Sequence, residues 1–145
     1  MIKICFVCTG NTCRSIMAER LLKKAIKDEK IDNIKVSSRG LFATGEQITE
    51  CARNALKKMK ASSASRKSVK LGKIDKDTLY ITMTEAQRKE IKSKNVISFA
   101  SLTGEEVLDP YGQNDEIYFQ TAKQIDNGIK ILLEKLKKWR ELWLF

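Results

Sequence analysis

A largely apolar run of strand length, Ile2–Val7, restricts the folds open to this chain. The run does not alternate apolar with polar residues, as a strand with one wet face would, so it predicts a strand buried on both faces. A short polar loop, Cys8–Cys13, follows it, and an amphipathic helical pattern begins after the loop. Strand, loop and helix in this order predict the first unit of an α/β fold.

The rest of the chain repeats this alternation. Three further short apolar segments predict strands: Ile34–Ser38, Leu79–Met83 and Val96–Phe99. A second amphipathic helix is expected after Thr49, and Thr84–Gln87 has the capping-box spacing that begins a third. A long C-terminal helix is predicted from an apolar stripe: Tyr118, Ala122, Ile125, Ile129, Leu132, Leu136 and Trp143.

Strands that alternate with helices predict a small doubly wound parallel β-sheet with helices on both faces. The Cys8–Cys13 loop then lies between the first strand and the first helix, at the carboxyl edge of the sheet where ligands bind in such folds. Asp109 is expected at the same edge. Because no linker or repeat interrupts the chain, we expect one domain over residues 1–145.

Composition narrows the chemistry. The sequence has 28 Lys and Arg against 18 Asp and Glu, a formal charge of +10, and no His. The lysines are spread along the chain, which favours a solvated basic surface over nucleic-acid binding. No histidine is available as a metal ligand or general base, and the cysteines form no CxxC pair, so no metal or other cofactor is expected. The chain has no long apolar run and no export signal, which predicts a cytoplasmic protein outside the membrane.

The chemically informative segment is Cys8–Ser15, a cysteine followed by five residues, an arginine and a hydroxyl residue. In order, its residues are Cys8, Thr9, Gly10, Asn11, Thr12, Cys13, Arg14 and Ser15. Gly10 and Asn11 can take left-handed conformations, which allows the N–H groups of the loop to converge on one centre. The helix N-terminus adds unsatisfied donors and the positive end of its dipole. This arrangement predicts a cradle for a tetrahedral phosphate dianion.

Three side chains of this segment, Arg14, Cys8 and Ser15, complete the predicted chemistry. Arg14 offers a planar fork for two phosphate oxygens. The same positive field favours the thiolate of Cys8, and the Ser15 hydroxyl can hydrogen-bond that sulfur. Asp109, held by Pro110, is the best candidate for a proton donor because no histidine exists, and Tyr111 is a candidate wall of the pocket.

With these motifs, the sequence resembles the low-molecular-weight protein tyrosine phosphatase family. The resemblance covers essentially the whole chain and is carried by Cys8–Ser15, by Met17–Glu19 and by Asp109–Gly112. It implies the following roles: Cys8 as nucleophile, Arg14 as phosphate clamp, Asp109 as general acid, Asn11 as the residue that holds the loop's shape, Ser15 as the aid to the thiolate, and Cys13 as the thiol that forms a reversible disulfide with Cys8. The histidine common in the middle of family members is missing, and the Ser62–Arg66 region is expected to substitute for it.

The middle of the loop bears on the substrate. Thr12 makes the loop similar to that of the bacterial branch that removes phosphate from phosphoarginine in proteins, whereas tyrosine-directed relatives carry a larger aliphatic residue. A small hydroxyl residue leaves room for a polar guanidinium and can hydrogen-bond it, while an aliphatic wall suits a phenyl ring. We therefore favour phosphoarginine over phosphotyrosine.

The sequence thus predicts a monomeric phosphatase of phosphorylated proteins that releases inorganic phosphate in two steps. Two other classes stay open. An arsenate reductase uses a similar loop but needs a downstream pair of relay thiols, and only Cys51 is available. A phosphate-binding module without catalysis would need neither a nucleophile nor a proton donor.

Overall fold

The computed structural model describes residues 1–63 and 66–143, with no side-chain description from residue 140 onward. The predicted place of Trp143 on the C-terminal stripe therefore lies outside the described side chains. The elements, in chain order, are β1 (Ile2–Cys8), α1 (Arg14–Asp28), β2 (Ile34–Gly40), α2 (Glu50–Lys58), β3 (Thr78–Thr82), α3 (Glu85–Lys89), β4 (Val96–Ser98), α4 (Ala100–Thr103) and α5 (Asp115–Trp143).

All four predicted strands are present, and they form one parallel sheet in the order β2-β1-β3-β4. The first strand is central, with Ile4 paired to Val36 on one side and to Leu79 on the other. Consecutive parallel strands require crossover connections, which α1, α2 and α3 supply in turn. The predicted α/β sheet is confirmed, and α4 is a short helix that the sequence pattern did not indicate.

The two faces of the sheet pack against different clusters. Alternate residues of β1 point to opposite faces: Ile4, Phe6 and Cys8 belong to the large core beneath α1, α2 and α5, and Cys5 and Val7 to a smaller cluster with Tyr80 and Ile91. Burial on both faces explains why the first strand reads as an apolar run.

Local signals set the helix starts. Thr84 and Gln87 form a reciprocal capping box at α3, as predicted, and the side chain of Thr49 accepts the Ala52 N–H at the start of α2. The long helix α5 can cross Phe99 because Gly128 has no side chain, since a Cβ there would overlap the Phe99 ring. Within the described residues, no helix is both long and apolar enough to cross a membrane.

Candidate active site

The loop between β1 and α1 begins where the central strand ends. Cys8 is the last residue of β1, Arg14 is the first of α1, and both are buried. Cys13 stands at the N-cap without a side-chain hydrogen bond, and the first turn of α1 carries no acidic residue. No carboxylate of the first turn therefore neutralises the positive end of this helix.

Hydrogen bonds to its carbonyl oxygens fix the loop against neighbouring segments of the chain. Three of them accept backbone hydrogen bonds: Cys8 O from Leu41 N at 3.0 Å, Thr9 O from Phe42 N at 2.9 Å, and Thr12 O from Thr49 N at 3.1 Å. The side chain of Gln87 adds a bond to the Thr9 hydroxyl at 3.1 Å. With its carbonyl oxygens turned outward, the loop keeps its N–H groups for an anion at its centre.

The sulfur of Cys8 sits among hydrogen-bond donors. The backbone N–H of Asn11 donates to it over 3.2 Å, and the Ser15 hydroxyl lies 3.0 Å away. Asn11 reaches this position with a left-handed backbone, φ 56°, which asparagine tolerates better than most residues. Donors arranged in this way stabilise a sulfur anion, both as attacking group and as leaving group.

Two of the three guanidinium nitrogens of Arg14 have a partner in the protein, and the third, Nε, has none among the described residues. Its Nη1 donates to the Val107 carbonyl at 3.0 Å, while its Nη2 lies 3.7 Å from Asp109 Oδ2. The buried Nε has no acceptor among the described residues. A buried donor without a partner is costly, so this N–H is a natural contact for an oxygen of a bound anion.

Asp109 lies at the predicted edge of the sheet, next to Cys13 and Arg14. It belongs to the connection between α4 and α5, which is tied to the end of β3 where Val107 N donates to Met83 O at 3.0 Å. Its side chain is 52% exposed, and its Oδ1 accepts the Tyr111 N–H at 3.0 Å. Tyr111 is itself exposed beside it.

Cys13 is a second buried thiol at the same site. Burial is the main cause that raises its pKa to about 12, and the neighbouring Cys8 and Asp109 add to the shift. Its Sγ lies 3.8 Å from Asp109 Oδ1. At neutral pH Cys13 is therefore a protonated thiol.

A polar network behind the loop was only partly anticipated. Of the Ser62–Arg66 region, Arg66 reaches the loop, where its Nη1 donates to Asn11 Oδ1 at 3.1 Å; residues 64 and 65 lie outside the described part of the chain. Its Nη2 donates to Ser38 Oγ at 2.7 Å and lies 3.3 Å from Glu19 Oε1. Asn11 Nδ2 in turn donates to Ser38 Oγ and to Ser15 Oγ, at 3.0 and 2.7 Å. Ser38 and Glu19 were not predicted as site residues.

Gly40 is a further residue that sequence reasoning missed. A Cβ there would lie 2.9 Å from Asn11 N, from the Gly10 carbonyl carbon and from Thr9 O. These are backbone atoms, which cannot swing aside as a flexible side chain can. Only glycine lets the end of β2 approach the loop this closely.

Comparison with known proteins finds matches that cover nearly the whole chain, including the Cys8 loop. The model of the low molecular weight phosphotyrosine protein phosphatase family matches residues 3–142. A protein-arginine-phosphatase of Geobacillus stearothermophilus is 33% identical over 93% of this chain and 96% of its own length. A low molecular weight protein-tyrosine-phosphatase, PtpB, of Staphylococcus epidermidis has the same identity and coverage.

The fold is similar to that of a solved structure of the arginine phosphatase YwlE. That protein is a cysteine-to-serine mutant with a phosphorylated active-site serine. It superposes with a TM-score of 0.83 at 32% identity, over 97% of this chain and 99% of the other.

Proposed function

Because the chain belongs to the low molecular weight phosphotyrosine protein phosphatase family and is a phosphoprotein phosphatase, we propose that it hydrolyses phosphoarginine in proteins through a cysteinyl-phosphate intermediate. The observation that carries the proposal is the sulfur of Cys8, which faces the Asn11 N–H and the Ser15 hydroxyl. Its loop ends at Arg14, whose buried Nε has no acceptor among the described residues. One small loop thus offers an anion site and a nucleophile together.

In the first step, the Cys8 thiolate attacks phosphorus in line with the bond to the leaving nitrogen. The P–N bond breaks as the S–P bond forms, and Asp109 gives its proton to the departing guanidino nitrogen. Backbone N–H groups and the Arg14 fork stabilise the charge on the equatorial oxygens. The dephosphorylated arginine side chain then leaves the site.

In the second step, Asp109, now a carboxylate, takes a proton from water that attacks the cysteinyl phosphate. The S–P bond breaks, inorganic phosphate departs, and the thiolate of Cys8 is regenerated beside Ser15 and Asn11. In the cysteine-to-serine mutant of YwlE the active-site serine is phosphorylated. This supports a phosphoryl group carried on the side chain of the nucleophile, which we assign to Cys8.

The preference for phosphoarginine rests on Thr12. Its backbone is anchored to Thr49, while its hydroxyl makes no hydrogen bond to any described residue. Of the loop atoms, this hydroxyl is left to accept a hydrogen bond from a guanidinium N–H. An aliphatic side chain at this position removes that acceptor and narrows the space beside it.

Phosphotyrosine is the second candidate, because the Staphylococcus epidermidis relative with that name is as similar to this chain as the arginine phosphatase is. Its ring would lie against the exposed aromatic side chains near the loop, Phe42 and Tyr111. Both activities use the same loop and the same acid.

The test is a comparison of kcat/KM for phosphoarginine and phosphotyrosine peptides of one sequence. We expect the wild type to prefer phosphoarginine, Thr12→Ile to move the preference by about 10-fold or more toward phosphotyrosine, and Thr12→Ser to keep the wild-type order. A wild type that prefers phosphotyrosine, with an unchanged ratio in Thr12→Ile, contradicts the arginine assignment. Loss of both activities in Cys8→Ser checks the reaction itself.

A further inference from the structure

A second basic site lies along α1, away from the Cys8 loop. It is a groove of about 350 Å³, hereafter the basic groove, lined by Arg20, Lys23, Lys24, Lys27, Asp28, Lys60 and Ser62. Four of the five basic residues follow one another on a single face of α1, and Lys60 comes from just beyond α2. The volume is in the range of pockets that hold small ligands.

Much of the positive charge in the basic groove is unneutralised. Asp28 pairs with Lys24, and Lys23 Nζ lies 3.5 Å from the buried Glu19. Lys27 and Lys60 have no ion pair with any residue that the structure describes. Like charges this close repel one another, so an anion that bridges them is favoured.

Arg20 is held at the basic groove by Glu19. Its Nε is buried and lies 3.2 Å from Glu19 Oε2, in an ion pair whose N–H is not aligned for a hydrogen bond. A guanidinium held in place in this way adds a fixed positive charge to the row of lysines on α1.

The lining also restricts what the ligand can be. Every lining side chain is charged or hydroxylated, with no aromatic or aliphatic residue against which a ring or an apolar peptide could pack. Recognition by charge alone fits a chain of phosphates, which offers several negative groups a few ångströms apart to the row of cations along α1. We propose that the basic groove binds a linear oligophosphate, free or carried by a nucleotide, at a site separate from the Cys8 loop.

The experiment is a calorimetric titration with inorganic tripolyphosphate and, in parallel, with ATP. The groove variant is Lys23→Gln, Lys27→Gln and Lys60→Gln, all exposed lysines whose change removes the charge and keeps a polar, unbranched side chain. The control variant is Lys73→Gln, Lys92→Gln and Lys94→Gln, which removes the same charge from exposed positions before β3 and β4. A third variant, Arg14→Met, weakens the loop site alone.

We expect the wild type, the control and Arg14→Met to share one class of tripolyphosphate site, and this site to be about 10-fold or more weaker in the groove variant, whatever the Cys8 loop binds in addition. ATP should bind no more tightly than tripolyphosphate, and both affinities should fall as NaCl rises. The proposal is overturned if the wild type does not bind, if the groove variant binds as well as the control, or if only Arg14→Met loses binding. Binding of ATP without tripolyphosphate equally contradicts it.

Discussion

The guanidinium of Arg66 and the side-chain amide of Asn11, 55 positions apart, are joined by a 3.1 Å hydrogen bond. The N–H of the same Asn11 donates to the sulfur of Cys8. A residue far from the loop in sequence therefore fixes the residue that shapes the nucleophile's surroundings.

Arg66→Met is expected to weaken the loop. It removes one donor from Asn11 Oδ1, which keeps the Val69 N–H, and one ion pair from the buried Glu19, which keeps the Ser38 hydroxyl and its other cations. We expect a loss of about 1 kcal/mol in the free energy of unfolding. We expect kcat to fall more than KM rises, because the loop's shape matters most for the reacting sulfur. Denaturant unfolding and steady-state kinetics measure both effects.

Arg66→Lys and Arg88→Met serve as its controls. Lysine keeps the charge but cannot contact Asn11, Ser38 and Glu19 at once, so it should restore little activity. Arg88 is also paired with a glutamate, on the surface of α3, and Arg88→Met should leave kcat unchanged. Equal kinetics of the wild type and Arg66→Met would show that the hydrogen bond to Asn11 is dispensable.

Gly40→Ala is expected to displace the backbone of the Cys8 loop. Its methyl group would lie 2.9 Å from three backbone atoms of residues 9 to 11, so the loop must move. We expect about 10-fold or more lower kcat, because a displacement near 1 Å at a reacting centre is costly. Gly72→Ala is the matched control, since nothing lies within 4 Å of a Cβ there. Similar activity of the two variants would contradict this explanation.

Asp109→Asn is expected to remove the proton donor without removing the anion site. We expect kcat to fall by about 10²–10⁴-fold on a phosphoarginine peptide or an alkyl phosphate, and by much less on 4-nitrophenyl phosphate, whose leaving group needs little protonation. The KM for phosphate esters should change little, because Arg14 still binds the anion. An equal loss on good and poor leaving groups would rule out the acid role of Asp109.

Cys13 is expected to trap oxidised Cys8 as a disulfide. Peroxide converts the Cys8 thiolate to a sulfenic acid, and the Cys13 thiolate then displaces hydroxide to form the S–S bond. Since the pKa of Cys13 is raised to about 12, its thiolate fraction, and so the rate of the second step, should rise with pH over the whole range from 6 to 9.

Peptide mapping measures this disulfide, and activity after reductant measures recovery. In excess peroxide the wild type should recover more activity than Cys13→Ser, whose sulfenic acid is oxidised further. Matching irreversible losses in the two proteins, with no Cys8–Cys13 peptide, would argue against the protective disulfide.

The sequence was informative where function depends on local order. One loop and one helical turn contain Cys8, Asn11, Arg14 and Ser15. Their spacing in the sequence was therefore enough to predict that they share one site, and Cys8, Asn11 and Ser15 are in hydrogen-bond contact there. The capping box at Thr84 was visible for the same reason. Such features depend on neighbours in sequence, and tertiary packing does not alter them.

Features that depend on distant parts of the chain could not be read in this way. Gly40 is placed by the parallel register of β1 with β2, which sets Cys8 opposite it. Ser38 and Glu19 are ordinary polar residues until packing brings Arg66 between them. Asp109 lies at the edge of the sheet where it was expected, but the hydrogen bond that ties its segment there, from Val107 N to Met83 O, could not be predicted from the sequence.

The nucleophilic role of Cys8 is tested most directly by the rate at which iodoacetate modifies each cysteine at pH 7, with and without vanadate, as measured by mass mapping. We expect that Cys8, although buried, reacts faster than the more exposed Cys51, and that vanadate suppresses the reaction at Cys8 alone. If Cys8 reacts no faster than Cys51 and vanadate gives no protection, Cys8 is not the nucleophile of an anion-binding loop.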